Sequence, residues 1–123
     1  ADGGTRTLAI TGGFVALVDA VRSISGLETT SRPIFRSSVA AVSLGLVNDR
    51  LLLDLDYSED SRAQVDSNIV MTGAGEFVEI QGTAEGRTFT REQFDAQLQL
   101  AEAGVKQLRE LQREALGADW PNV

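Results

Sequence analysis

The sequence predicts an α/β fold of the α+β type, with an apolar first helix, a four-stranded sheet and a long last helix. Residues 5–25 carry apolar side chains around nearly the whole circumference of a helix, which is typical of a buried helix. Four short runs between residues 39 and 81 have the composition of strands and are separated by turn residues. Residues 90–117 place apolar side chains at helical spacing with charged side chains opposite, which predicts an amphipathic helix.

The first helix is predicted to begin at Thr5, a residue type that favours helix starts, and to end before Gly26. Its two glycines, Gly12 and Gly13, each cost about 1 kcal/mol of helix stability relative to alanine. They are explained if another backbone packs closely against them. We therefore expect this helix to be central and buried. A loop is predicted from residue 27 to residue 38.

The sheet is predicted from four runs that are apolar or alternate in polarity: 39–47, 50–57, 68–72 and 76–81. Asn48 and Asp49 are typical turn residues between the first two runs. Thr90 is predicted to begin the last helix, because Gln93 three residues later completes a capping box. Gly117 is predicted to end that helix.

Composition excludes several kinds of chemistry. The chain has 123 residues, enough for one domain with a hydrophobic core, and contains neither cysteine nor histidine. Disulfides, thiolate zinc sites, imidazole ligands and Ser-His-Asp triads are therefore excluded. A net charge of −7 predicts that the chain alone holds nucleic acid poorly, although a metal and a few arginines can hold a reacting end. With no bilayer-spanning run and no signal peptide, we expect no membrane partner and a cytoplasmic location.

Residues 51–68 concentrate negative charge after an apolar run. The acidic residues are Asp54, Asp56, Glu59, Asp60 and Asp66. Such a density requires compensation by solvent, by Arg62 or by a cation, and carboxylate oxygens suit Mg²⁺, Mn²⁺ or Ca²⁺. Asp60 and Asp66 can meet at one cation; the alternative is a solvated acidic loop in which Asp66 caps the following element. Asp54 and Asp56 are expected to share a strand face, where they pair with arginine or face water.

Two further segments are candidate binding sites. Gly4, Thr5 and Arg6 stand at the start of the first helix, where free N–H groups, a hydroxyl and a guanidinium suit phosphate. The alternative is an ordinary capped helix start with a surface arginine, and spacing alone favours that alternative. Residues 81–86 contain two glycines, which suggests a shaped loop. A plain connection between strand and helix is the favoured interpretation of that segment.

Four segments matter in combination: DGGTRTLAITGGFVALVDA (2–20), VAAVSLGLV (39–47), LDLDYSEDSRAQVDSNIVMT (53–72) and EIQGTAEGRTF (79–89). Together they resemble the C-terminal half of ribonuclease PH, a family of bacterial phosphate-dependent exoribonucleases that trim tRNA 3′ ends. The resemblance covers nearly the whole chain and is weakest at residues 24–36 and in the tail. It implies a ribonuclease PH-like fold. Polynucleotide phosphorylase and exosome ring subunits share that fold but resemble the chain less.

The resemblance also implies roles for the candidate residues. Gly4, Thr5 and Arg6 fall on the family's phosphate-binding motif, and Asp60 and Asp66 fall on its pair of acidic catalytic residues, which hold Mg²⁺ or Mn²⁺. The implied reaction is phosphorolysis, in which inorganic phosphate is the co-substrate. Phosphate attacks the last phosphodiester of an RNA, such as a tRNA 3′ end, and releases a nucleoside diphosphate. Such a reaction needs little acid–base machinery, which agrees with a chain that lacks histidine.

The resemblance further implies that residues 1–123 form a single unit, the C-terminal half of a ribonuclease PH domain whose N-terminal half is absent from this chain. Without that half, we expect the apolar first helix to be exposed and the chain to self-associate or bind its missing half. Family members form a hexameric ring, a trimer of dimers. Two other interpretations stay open: an inactive truncated fragment that acts as a structural, self-assembling module, and a simple acidic cation-binding module.

Overall fold

A computed structural model describes residues 2–24, 26 and 33–123 of the chain. Its elements in chain order are α1 (Thr5–Arg22), β1 (Val39–Val47), β2 (Arg50–Leu53), α2 (Tyr57–Arg62), β3 (Val65–Thr72), β4 (Phe77–Ala84) and α3 (Arg91–Leu116), followed by a 3-10 turn (Gly117–Asp119). The predicted α/β fold, with a four-stranded sheet and a long last helix, is confirmed. Residue 25 of the predicted first helix and residues 27–32 of the predicted loop lie outside the described residues. Within the described ranges, no helix is long and apolar enough to cross a membrane.

The sheet is antiparallel throughout, in the order β2-β1-β3-β4. β1 and β2 form a hairpin whose turn residues, Asn48 and Asp49, have φ of 51° and 62°. Positive φ at both turn positions matches the twist of the flanking strands, and these two residue types tolerate it. The predicted turn is therefore confirmed, and it sets the register that pairs Val47 with Arg50.

One face of the sheet packs against α3. The buried side chains of this core come from β1, β3 and α3: Ala40, Val42, Leu44, Ile69, Met71, Ala101 and Val105. They alternate along both strands, as side chains that share one face of a sheet must. Gly104 lets α3 approach closely, because a Cβ there would lie 3.1 Å from Val42 Cγ1 and 3.0 Å from Leu53 Cδ2.

Both ends of α3 are found where the sequence predicts them. The Thr90 hydroxyl accepts a hydrogen bond from the Gln93 N–H at 3.0 Å, and the Gln93 side-chain oxygen accepts one from the Thr90 N–H at 2.8 Å. Gly117 stands at the C-cap with φ of 53°. These signals are local, because each capping partner lies within three residues of the other.

α1 lies against the part of β1 that extends beyond β2. The Thr11 hydroxyl accepts from the Ala41 N–H at 3.0 Å and donates to the Ala41 carbonyl at 3.4 Å. The Gln112 Nε2 of α3 donates to the carbonyls of Thr11 and Val39, each at 2.9 Å. These buried hydrogen bonds satisfy strand-edge groups that would otherwise be costly to bury, and they fix α1 relative to the sheet.

α1 is buried on one side only. Its buried side chains are Thr7, Thr11, Phe14 and Val18. Leu8 and Leu17 are 71% and 53% exposed, and a Cβ at Gly12 or Gly13 would meet no atom within 4 Å. The prediction of a fully buried helix is therefore wrong for the described part of this chain, because no element there covers the outer side. The outer side of the helix is exposed instead.

The acidic segment folds differently from the prediction. β2 ends at Leu53, four residues early, because Asp54 has φ of 61° and turns the chain out of the sheet. Asp56 then caps α2: its carboxylate accepts from the Glu59 N–H, and the Glu59 carboxylate accepts from the Asp56 N–H. The expectation that Asp54 and Asp56 share a strand face is therefore wrong. β3 begins three residues before its predicted start, and β4 ends three residues after its predicted end. The two extensions pair with each other, Val65 with Ala84.

Candidate active site

The face of the sheet opposite to α3 carries polar side chains from three strands. Ser43 of β1 pairs with Asn68 of β3, and Asp66 and Glu79 lie at alternate positions of the same ladders. Because alternate residues of a strand point to the same side, these four side chains share one face. We call it the site face: Ser43, Asp66, Asn68 and Glu79. Along β3, Asp66, Asn68 and Val70 follow one another at steps of about 7 Å, and Val70 pairs with Glu79.

The start of α1 reaches the site face through two glycines. Gly4 is the N-cap, with φ of 60°. A Cβ on it would lie 3.5 Å from Asp54 Oδ1 and 3.8 Å from Ser43 Oγ. Gly3 has φ of 99°, and a Cβ on it would lie 2.5 Å from the Leu55 carbonyl oxygen, closer than real Cβ atoms approach. Glycine therefore allows both the left-handed backbone and the close approach.

This helix start suits an anion. A glycine N-cap has no side chain that can accept from the N–H groups of the first turn, and the helix dipole adds positive potential. Thr5 and Arg6 are exposed there, so their hydroxyl and guanidinium can join the N–H groups. Gly4, Thr5 and Arg6 thus stand together at the site face. Their role in binding phosphate stays a prediction.

Arg6 extends across the site face to the edge strand. Its Nη2 donates to Glu79 Oε2, and the two side chains are 52% and 37% exposed. Since α1 packs against β1 and Glu79 lies on β4, with β3 between them, the Arg6–Glu79 pair bridges the two middle strands. A charged guanidinium is therefore held above the middle strands.

Asp60 and Asp66 interact at the other end of the site face. Asp60 lies on α2 and Asp66 near the start of β3. Partial burial raises the pKa of the Asp66 carboxyl above its ordinary value of 3.8, and the charges of Asp60 and then of Glu85 raise it further. Each of these charges disfavours the ionised form of Asp66. A cation at this position would relieve the repulsion.

The donor set fits Mg²⁺ or Mn²⁺ shared with a phosphate. Mg²⁺ is commonly held by one or two carboxylates together with phosphate oxygens and water, whereas Ca²⁺ takes six to eight oxygen ligands. Across residues 2–24, 26 and 33–123, no three His, Cys, Asp or Glu side chains are grouped so that they could hold a metal by themselves. Asp60 and Asp66 therefore suit a cation that a substrate completes, and their role as metal ligands stays a prediction.

The raised pKa of Asp66 predicts a dependence of stability on pH. Between the ordinary value of 3.8 and the raised pKa, the folded chain binds more protons than the unfolded chain. The free energy of unfolding of the cation-free chain therefore falls as pH rises through this window, and Asp66→Asn removes that part of the fall. Urea unfolding at acidic and neutral pH measures it, with Asp95→Asn on α3 as the control. An equal fall in the wild type and in Asp66→Asn contradicts the prediction.

Three residues of the site are not identified from the sequence. Ser43 has a buried Oγ with no hydrogen-bond partner among the described residues, and the available signal is a lone hydroxyl in an apolar strand. Glu85, in the segment 81–86 interpreted as a plain connection, adds negative charge to the acidic end. Glu79 pairs with Arg6 across 73 residues, and no local spacing indicates such a pair.

Residues 37–104 match the family model described as 3′ exoribonuclease family, domain 2, which is more than half of the chain. The chain therefore belongs to the 3′ exoribonuclease family. Within that class it is similar to proteins named Ribonuclease PH, as the resemblance in the sequence predicts. It is 55% identical over 117 residues to the protein of Moorella thermoacetica, and this alignment covers 95% of this chain and 47% of the relative. It is 53% identical over 124 residues to the protein of Rhodococcus erythropolis, and this alignment covers 100% of this chain and 48% of the relative.

The chain spans about half the length of the curated relatives it matches. Among solved structures, rice (Oryza sativa) Rrp46 superposes with a TM-score of 0.73 at 18% sequence identity. The superposition covers 94% of this chain and 49% of that one. At this identity the likeness shows the fold alone, and it confirms the ribonuclease PH-like fold.

Proposed function

We propose that this chain carries the phosphate cradle and the metal-binding carboxylates of a phosphorolytic 3′→5′ exoribonuclease that trims tRNA 3′ ends. The observation that carries the proposal is the placement of two complementary groups on one sheet face. The uncapped start of α1 lies beside Ser43 of β1, and Asp66 lies on the neighbouring strand β3, two residues from Asn68, the partner of Ser43. This placement on one face suits a phosphate bound at the helix start and a cation bound at the carboxylates. The relatives named Ribonuclease PH support the same activity.

In the proposed reaction, an oxygen of inorganic phosphate attacks the phosphorus of the last phosphodiester. The bond from that phosphorus to the 3′ oxygen of the preceding nucleotide breaks, so the products are a nucleoside diphosphate and an RNA shorter by one nucleotide. The N–H groups at the start of α1, the Thr5 hydroxyl and the Arg6 guanidinium bind and orient the attacking phosphate. Asp60 and Asp66 hold Mg²⁺ or Mn²⁺, which compensates negative charge on the reacting phosphoryl group.

The proposal also assigns partners. A net charge of −7 disfavours RNA binding, so most of the RNA-binding surface is expected on the other half of the domain and on neighbouring subunits. We place the N-terminal half of the ribonuclease PH domain on the outer side of α1, where Leu8 and Leu17 are exposed. The complete assembly is proposed to be the family's hexameric ring, a trimer of dimers.

The test requires a complete domain, in which this chain replaces the matching half of Moorella thermoacetica ribonuclease PH. Release of nucleoside diphosphate from a tRNA with a 3′ extension is measured with Mg²⁺, in the presence and absence of phosphate. We expect release only with phosphate. Arg6→Ala is expected to raise the KM for phosphate about 10- to 100-fold, because a hydrogen bond to a charged group contributes about 1.5–3 kcal/mol.

The control for this variant is Arg91→Ala, which removes an arginine that is 88% exposed on α3. Its KM for phosphate is expected to equal that of the wild type. Release without phosphate, or an unchanged KM in Arg6→Ala, contradicts the proposed role of the helix start.

One observation favours a second function for the chain alone, a structural, self-assembling module. The outer side of α1 presents Leu8, Leu17 and two uncovered glycines, an apolar surface that favours association. Sedimentation analysis of the 123-residue chain tests this. Concentration-dependent self-association without phosphate-dependent release supports the structural module, whereas a monomer at all concentrations contradicts it.

A further inference from the structure

We infer that Glu79 is a positioning residue for Arg6, an inference that rests on the proposed function. Glu79 stands on the edge strand β4, and although it begins the segment 79–89, the sequence assigns it no role. Its carboxylate accepts a hydrogen bond from Arg6 Nη2 across the whole width of the site face. It is therefore the group that determines where the guanidinium lies when no phosphate is bound.

Stability does not account for this ion pair. The two side chains are 52% and 37% exposed, and ion pairs at such exposure contribute little to folding because solvent screens them. An arginine also loses rotamer freedom when its end is fixed. The pair uses Nη2, and the guanidinium has further N–H donors in the same plane that can bind an anion. The benefit of ordering Arg6 is thus expected in phosphate binding.

Three positions on the site face follow one order along the strands. Asp66 lies at one end, Ser43 beside the helix start lies in the middle, and Glu79 lies at the far end, beside residue 70 of β3. Each step is about 7 Å. A guanidinium anchored at Glu79 therefore flanks a phosphate at the helix start on the side away from the metal-binding carboxylates. The phosphate then has a positive group on each side.

The ion pair with Glu79 also keeps Arg6 away from the acidic end of the site face. The acidic end of the site face combines the negative charges of Asp60, Asp66 and Glu85. An unanchored arginine on this face is attracted to that cluster and would occupy the carboxylates that the cation needs. Glu79 holds Arg6 away from them, which would leave Asp60 and Asp66 available to a cation.

Glu79→Ala in the complete chimeric domain tests the inference. We expect the KM for phosphate to rise about three- to tenfold. Without Glu79 the long Arg6 side chain is not held in place, so phosphate binding must also order it. The kcat is expected to stay within about twofold, and the Tm to stay unchanged because exposed pairs add little stability. Glu79→Gln, which keeps an acceptor oxygen, is expected to show a smaller rise. The double variant Arg6→Ala/Glu79→Ala is expected to have the KM of Arg6→Ala alone.

Asp95→Ala is the matched control, because it removes an exposed ion pair with Arg91 on α3 (3.7 Å) and is expected to leave the KM unchanged. Calorimetric titration with inorganic phosphate gives a readout independent of turnover. If Arg6→Ala weakens phosphate binding while Glu79→Ala leaves it unchanged or strengthens it, the inference fails and the proposed function stands. Additive losses in the double variant also overturn the inference. A wild-type domain that neither binds phosphate nor requires it overturns both.

Discussion

Asp60→Asn and Asp66→Asn are each expected to lower phosphate-dependent release of nucleoside diphosphate by about 100-fold or more in the complete domain. The two carboxylates are the proposed ligands of the cation that compensates charge on the reacting phosphoryl group. Loss of one preorganised electrostatic group at such a position costs roughly 100- to 1,000-fold in kcat. An amide keeps the shape of the side chain but removes the charge, so the effect is expected in kcat with little change in folding.

Binding of Mn²⁺ to the same variants, measured by electron paramagnetic resonance, separates the possible outcomes. Both substitutions are expected to abolish Mn²⁺ binding at the site, whereas Asp95→Asn on α3 is expected to change neither binding nor release. Unchanged Mn²⁺ binding in both variants would remove the metal assignment. Binding of Mn²⁺ by the wild-type domain, lost in both variants but accompanied by no phosphorolysis, would favour the simple cation-binding module instead.

Gly45→Ala is expected to destabilise the 123-residue chain by about 2 kcal/mol, within the range for overpacked cores. A Cβ at this position would lie 2.7 Å from Leu55 Cδ1 and 2.9 Å from the Val65 carbonyl oxygen. The leucine end can move, but the carbonyl belongs to the backbone of β3. Because Gly45 pairs with Asp66, relief of the clash also displaces a proposed catalytic residue, and lower activity is expected with the lower stability.

Gly12→Ala is the matched control, since a Cβ there meets no atom within 4 Å and the position lies inside a helix. It is expected to stabilise the chain by about 0.5–1 kcal/mol, because alanine restricts the unfolded chain and favours helix. Urea unfolding of both variants gives the two free energies. A Gly45→Ala chain as stable as the wild type would show that β1 and β3 pair less closely than described.

Much of the fold could be predicted because its signals are local. Thr90 with Gln93, Gly117, and the Asn48–Asp49 turn each act within a few residues, and all are found as expected. α2 was missed although Asp56 and Glu59 carry the same capping signal, because a six-residue helix with no buried side chain has no apolar stripe to reveal it. The sequence instead predicts strand alternation for Asp54 and Asp56 and an acidic loop for Glu59 and Asp60.

The candidate site was predictable only through the family motifs. At Gly4-Thr5-Arg6 and at the Asp60–Asp66 pair, spacing alone favoured an ordinary helix start and a solvated loop. The physical reason is that each group is common by itself, and only their shared position on one sheet face makes them a site. The sequence could name these residues, but it could not state that they face the same way.

The sequence by itself determined the long helices and the four strands, the hairpin turn, the ends of α3 and, through its motifs, the residues of the proposed phosphate and metal sites. Only the tertiary structure decided which distant side chains meet. It brings Glu79 into contact with Arg6, brings Glu85 close enough for its charge to act on Asp66, and leaves one side of α1 uncovered. Capping and turns depend on neighbours in the chain, whereas strand register and helix packing depend on how separate elements bury their apolar faces together.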